Sequence, residues 1–247
     1  MKTNTKKIII VLSLAVTLGV NYLANILPLN GNTTGAVSDM FPQYIVPLGY
    51  VFSIWGLIYL SLTGYAINNF FYNKQDKLVE STFPWFVTSC ICNCAWIFLW
   101  HYMQFGLTIV AMLGLLGSLI MIYINTNKAD AKRSFLEKLL YEFPFSLYLG
   151  WVSVATIVNV SVVLSYIGWD GFGINPAIWS VILISVATSL GLYFLKFRND
   201  ITFALVIVWA VTGIGLRFVN NEQIIFGAAV VSVITILASV AMHKLKY

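Results

Sequence analysis

The sequence predicts an all-α fold, a polytopic bundle of membrane-spanning helices, on three observations. The chain is 60% hydrophobic and only 9% charged over 247 residues, with a mean hydropathy of +0.86. A soluble domain of this size cannot hide that much apolar surface, so most of it must face lipid. Its apolar runs are about 20 residues long, which at 1.5 Å of rise per residue crosses a bilayer core of about 30 Å. Its basic residues fall in alternate loops between those runs, and so nearly all on one side.

The runs come in order. Lys2, Lys6 and Lys7 precede an apolar run from Ile8 to Leu27. A signal peptide begins this way, but no small-x-small cleavage site follows and the run is long enough to span, so a retained first helix is expected. Pro28 to Tyr44 is a loop rich in Gly, Asn and Thr, and Ile45 to Phe71 is the second span. A polar stretch over 73–82 leads to the third span, Phe83 to Tyr102, and a tight turn around Gln104 to the fourth, Phe105 to Asn125. The most charged loop, 126–140, carries Lys128, Asp130, Lys132, Arg133, Glu137 and Lys138. Tyr141 to Tyr166 is the fifth span, and a turn-rich GWDGFGINP segment follows at 168–176. Spans at about 177–195, 201–218 and 224–243 complete a count of eight.

Charge supports that count. With the N-terminus in the cytoplasm, Lys2, Lys6, Lys7, Lys74, Lys77, Lys128, Lys132, Arg133, Lys138, Lys196, Arg198, Lys244 and Lys246 all fall on the cytoplasmic side. Arg217 alone, of the 14 Lys and Arg residues, falls opposite. Positive charge is retained on the cytoplasmic side of membranes, so the expectation is a multi-pass protein of the cell (inner) membrane with both termini cytoplasmic. Arg217 is expected to snorkel to the outer interface or to pair with Glu222, with anion contact as the functional alternative.

Several function classes are unsupported. The net charge of +5 is not gathered on one soluble surface, so no nucleic-acid partner is indicated. Cys90, Cys92 and Cys94 lie within one apolar run without a nearby His or acid, which suits buried small side chains better than a metal site or a disulfide framework. His101 and His243 sit at span ends without a partner acid or nucleophile, and no carboxylate pair lies within a span, so no catalytic set is assigned. Glu142 sits at the entry of the fifth helix, where an acid near a helix N-terminus is favourable. No internal repeat points to an inverted-repeat transporter.

Aromatic and amide content in the first five spans remains. In the fifth span, Trp151, Ala155 and Asn159 recur at i, i+4 and i+8 and share one side of the helix, with Trp151 and Asn159 about 12 Å apart along the axis. Trp55 and Tyr59 share a face of the second span, and Asn93 and Trp96 lie one turn apart on the third. An intramembrane Asn is costly without a partner. These residues either glue helices together or wall a pocket for a flat apolar ligand, an aromatic surface with a few polar fixers. Trp100, Trp169 and Trp179, near span ends, read as interface anchors.

Three segments resemble the translocator protein family, also called tryptophan-rich sensory proteins or peripheral-type benzodiazepine receptors. They are PLGYVFSIWGLIY at 47–59, NCAW at 93–96 and WVSVATIVN at 151–159. The resemblance covers about residues 8–166 and equals the family's five-helix bundle; the last three helices have no counterpart in its short members. It implies a translocator-like domain over 1–170 and a three-helix transmembrane extension over 171–247. It also implies a porphyrin-like ligand bound among Trp55, Tyr59, Asn93, Trp96, Trp151, Ala155 and Asn159, in a sensor or carrier. No cofactor is required. A light-dependent porphyrin-degrading catalyst using Trp55 and Trp151, and a transporter using the C-terminal helices, are the alternatives. The partners expected are membrane lipid and the small apolar ligand; separately from the resemblance, small-residue faces at Gly114, Gly117 and Ser118 or at Gly213 and Gly215 would allow a second copy of the chain to approach closely.

Overall fold

The computed structural model describes residues 2–27, 29–41, 43–72, 76–127 and 134–246. Pro28, Lys74, Lys128, Asp130, Lys132 and Arg133 lie outside the described residues. The described residues form helices and turns with no strand among them. Seven helical segments are long and apolar enough to cross a membrane.

The first is α1, Thr3–Ile26. The expected loop after it holds a short helix, α2 (Thr34–Asp39), started by the Thr33 side chain accepting from the Ala36 N–H. The second span does not begin as α-helix at Ile45. Pro47 supplies no N–H, and a 3₁₀ turn over Gly49–Ser53 leads into α3, Ile54–Phe71. Next, α4 (Asp76–His101) begins well before the expected Phe83 and carries Pro84 inside it. Its first turns are polar, so hydropathy does not register them. Helix α5 is Phe105–Asn127.

The charged segment ends in a second short helix, α6 (Phe135–Tyr141), where Ser134 and Glu137 form a reciprocal capping box. Helix α7, Phe143–Tyr166, has Pro144 in its first turn, where a missing N–H costs nothing. Glu142 is the hinge between the two helices and makes no side-chain cap. Helix α8 (Pro176–Arg198) is capped by Asn175 and stopped by Asn199 in the left-handed conformation. Asp200 then caps α9, Ile201–Arg217, and α10 is Gln223–Lys246.

With 17 residues, α9 is shorter than the other seven. It still runs between the two ends of the bundle. At the end holding the N-terminus, here the base, Ser146 Oγ donates to the Asp200 carboxylate at 2.6 Å. At the opposite end, the mouth, Arg217 pairs with Asp39 of α2 at 3.1 Å. Arg217 therefore meets Asp39, not the expected Glu222, because the first loop folds back over the bundle.

Packing runs α3–α1–α4–α5–α7–α9, with α8 and α10 closing on α9. A continuous apolar core extends from Ile10 on α1 to Ile236 on α10. Helices α7 and α9 cross where Gly150 faces Val206; a Cβ on Gly150 would come to 3.1 Å from the valine. The glycines considered for a dimer face are used inside the chain: Gly114 faces Cys92, Gly213 faces Val51, and Gly215 faces Ala229, while Gly117 has open space beside it.

Candidate functional site

Two adjoining cavities open at the mouth. The larger, about 1170 Å³, lies between α1, α2, the Pro47–Phe52 segment, α3 and α4. A slot of about 60 Å³ continues from it toward α5 and α7. Trp55, Tyr59, Asn93 and Trp96 line the larger cavity, and Trp55, Asn93, Trp96, Trp151, Ala155 and Asn159 line the slot. The helices thus bring every candidate residue to two neighbouring cavities that share Trp55, Asn93 and Trp96 in their walls.

Those residues divide into two kinds. Asn93 accepts from the Asn21 amide at 2.7 Å and donates to the Tyr148 hydroxyl at 2.9 Å, tying α4 to α1 and α7. Asn159 accepts from the Trp96 indole N–H at 2.6 Å and donates to Thr108 at 2.9 Å, tying α7 to α4 and α5. Asn93, Asn159 and the polar edge of Trp96 are therefore clamps between helices, the partners that buried amides require.

Trp55, Tyr59 and Trp151 are the other kind. Trp55 stacks on Tyr59 at 5.4 Å between ring centroids and meets Trp151 edge-to-face at 6.1 Å. Phe52 closes on the other side of Trp151 at 5.8 Å. The Trp151 indole N–H and the Tyr59 hydroxyl are both buried and make no hydrogen bond among the described residues. Asn93 lies near the Tyr59 hydroxyl without hydrogen-bond geometry. Orphaned buried donors are rare because each forfeits its hydration. Ala155, lining the slot beside them, leaves room that a larger side chain would fill.

The roof is α2. Its Val37 is fully buried on Trp100, Phe105 and Val162. The Trp100 indole donates to the Thr34 carbonyl at 3.1 Å, and His101 Nε2 meets the Thr34 hydroxyl at 3.3 Å. Trp100 and His101 are therefore not interface residues. They are 3% and 0% exposed, because the folded-back loop covers them. Arg217 completes the roof by donating to the Pro47 carbonyl at 3.2 Å and to Asp39. Asn21, Tyr148 and Asp39 were not among the residues expected from the sequence, and Trp100 was expected at the interface. Asn21 was open to the same argument as Asn93, being an amide inside an apolar run.

The cysteines are free, with Cys90 buried and Cys92 and Cys94 half-buried. Among the described residues no cluster of His, Cys, Asp and Glu has the makings of a metal site.

Comparison with curated proteins and with solved structures returns no significant match. A family model described as TSPO-like protein matches residues 7–242, so the match runs past the expected five-helix resemblance and through the last three helices. Family match and apolar helices agree, and the chain belongs to the TSPO-like protein family as a multi-pass membrane protein.

Proposed function

We infer that this protein binds a flat, largely apolar ligand of the porphyrin kind beneath α2 and acts as a sensor or carrier. The observation that carries the reading is the pair of orphaned donors on Trp151 and Tyr59 within an aromatic wall. A ligand acceptor reaching either one satisfies a group that the protein leaves bare. Trp55, Tyr59 and Trp151 offer ring faces and edges to a planar body, and a cavity of about 1170 Å³ has room for a macrocycle. The first five spans, within residues 1–170, supply that wall, and the extension over 171–247 supplies Arg217 at the mouth. The placement of basic residues supports a cell (inner) membrane protein with both termini in the cytoplasm.

The test is a fluorescence-quenching titration of the purified protein with protoporphyrin IX, beside Trp55→Phe and Trp151→Phe. Saturable quenching weakened by both substitutions is expected. Quenching that does not saturate, or that both variants leave unchanged, removes the reading.

A further inference from the structure

Arg217 and Asp39 are the charged side chains among the described residues lining the large cavity. They sit together at its mouth, 3.1 Å apart, with the Arg217 side chain 30% and the Asp39 side chain 63% exposed. Around them the lining includes the neutral polar side chains Asn25, Thr33, Thr34 and Ser38; deeper in, Leu18, Phe52 and Trp55 make it largely apolar, and the amides there, Asn21 and Asn93, are bonded to each other. The space is therefore amphipathic along its depth.

The two partners are held very differently. The Arg217 guanidinium is fixed by the Pro47 carbonyl at 3.2 Å as well as by Asp39. It keeps its place if Asp39 leaves, with N–H donors in a fork that matches a carboxylate. Asp39 is the last residue of the six-residue α2. The rest of that helix is held independently, by Val37 in its apolar seat and by Thr34 on Trp100 and His101. A part-exposed ion pair is weak, so an incoming carboxylate can take the place of Asp39 on Arg217 at little cost.

Resting on the binding reading above, we propose that the cavity selects an amphipathic carboxylate whose head group displaces Asp39 from Arg217 and thereby releases the end of α2. The apolar body lies on Trp55 and the head sits at the mouth. The displaced Asp39 swings into water, and the Thr34–Val37 side of α2 serves as the pivot. The ligand's charge, not only its shape, then determines whether the roof stays latched. Among the described residues of the C-terminal helices, Arg217 is the one that lines the cavity.

The experiment compares protoporphyrin IX with its dimethyl ester, titrated into full-length protein, Asp39→Asn, Arg217→Gln and Arg217→Lys. Wild type should hold the acid about tenfold more tightly than the ester, the scale of one charge-assisted hydrogen-bonded contact. Asp39→Asn should tighten the acid several-fold, because the competing carboxylate is gone, and leave the ester unchanged. Arg217→Gln should make acid and ester alike, and Arg217→Lys should restore part of the difference. The gain in Asp39→Asn cannot come from misfolding, so a damaged Arg217 variant does not leave the question open. Acid and ester bound equally by wild type, with no gain in Asp39→Asn, overturn the latch while the binding reading stands. Failure of both probes to bind saturably overturns both.

Discussion

Asn93 on α4 and Asn21 on α1, 72 residues apart in the chain, share a hydrogen bond of 2.7 Å in the interior of the bundle. Asn93 is 2% exposed and Asn21 8% exposed, and Asn93 passes the connection on to Tyr148 of α7. Removing one amide strands the other in a low-dielectric interior. Asn93→Ala should therefore lower stability by about 1–3 kcal/mol, the cost of a buried unsatisfied polar group. The double variant Asn21→Leu/Asn93→Leu should recover part of that loss. Thermal unfolding of the detergent-purified protein, followed by circular dichroism, checks both; equal losses in the two variants would deny the pairing.

Trp96 and Trp151 should separate stability from binding. The Trp96 indole N–H is engaged by Asn159 at 2.6 Å, and its ring stacks on Trp100 at 5.0 Å. The Trp151 N–H has no partner among the described residues. Trp96→Phe should cost about 1–2 kcal/mol of stability through the stranded Asn159 carbonyl. Trp151→Phe should leave the melting temperature nearly unchanged and weaken porphyrin binding. Paired melting and quenching measurements decide it, and a melting loss in Trp151→Phe as large as in Trp96→Phe would show that Trp151 also clamps.

Much of this arrangement was legible in the sequence, because lipid imposes a simple rule. Every spanning segment must be apolar and helical, so hydropathy alone finds the membrane core of each helix. It does not find helix ends. Asp76 begins α4 in polar residues, and Gly49–Ser53 forms a 3₁₀ turn before α3 inside an apolar run. Side-chain period placed Trp151, Ala155 and Asn159 on one side of the helix, and all three line the slot. It could not tell an amide that clamps from one that awaits a ligand, since that depends on partners such as Asn21 and Thr108 on other helices. The roof was the least legible part. A short helix such as α2 stands on tertiary contacts with Trp100, Phe105 and Val162 and has no hydropathy signal of its own.

Gly213 lets α9 approach the entry of α3. Its carbonyl accepts from the Leu48 N–H at 3.2 Å. A Cβ there would collide with the Val51 side chain. Gly213→Ala should therefore destabilise by about 1–3 kcal/mol through overpacking. Pairing it with Val51→Ala should restore much of the loss, since the obstructing methyl goes. Gly117→Ala, with nothing near the added methyl, is the control and should be close to neutral. A melting series of the four proteins checks this.

Truncation tests how far the first five spans stand alone. If they formed a self-sufficient unit, deleting residues 176–247 would leave ligand binding intact. The contacts argue for a different outcome. The Trp209 indole donates to the Val51 carbonyl at 2.9 Å, and Arg217 holds both Pro47 and Asp39. The segment from Pro47 to Phe52 that these contacts steady is itself part of the cavity wall. Removing α9 also uncovers the face of α7 at Gly150, a backbone packed against Val206. The truncated chain should insert, because the α1, α3, α4, α5 and α7 segments keep their apolar lengths. Its affinity for protoporphyrin should fall about tenfold or more, from the loss of the ordered wall and of the Arg217 contact. Adding α9 back by co-expressing residues 176–247 should recover binding if the helices dock as a preformed pair of units. Full affinity in the truncated chain would mean that Trp55, Tyr59 and Trp151 hold the ligand unaided, and that α8 to α10 serve another purpose.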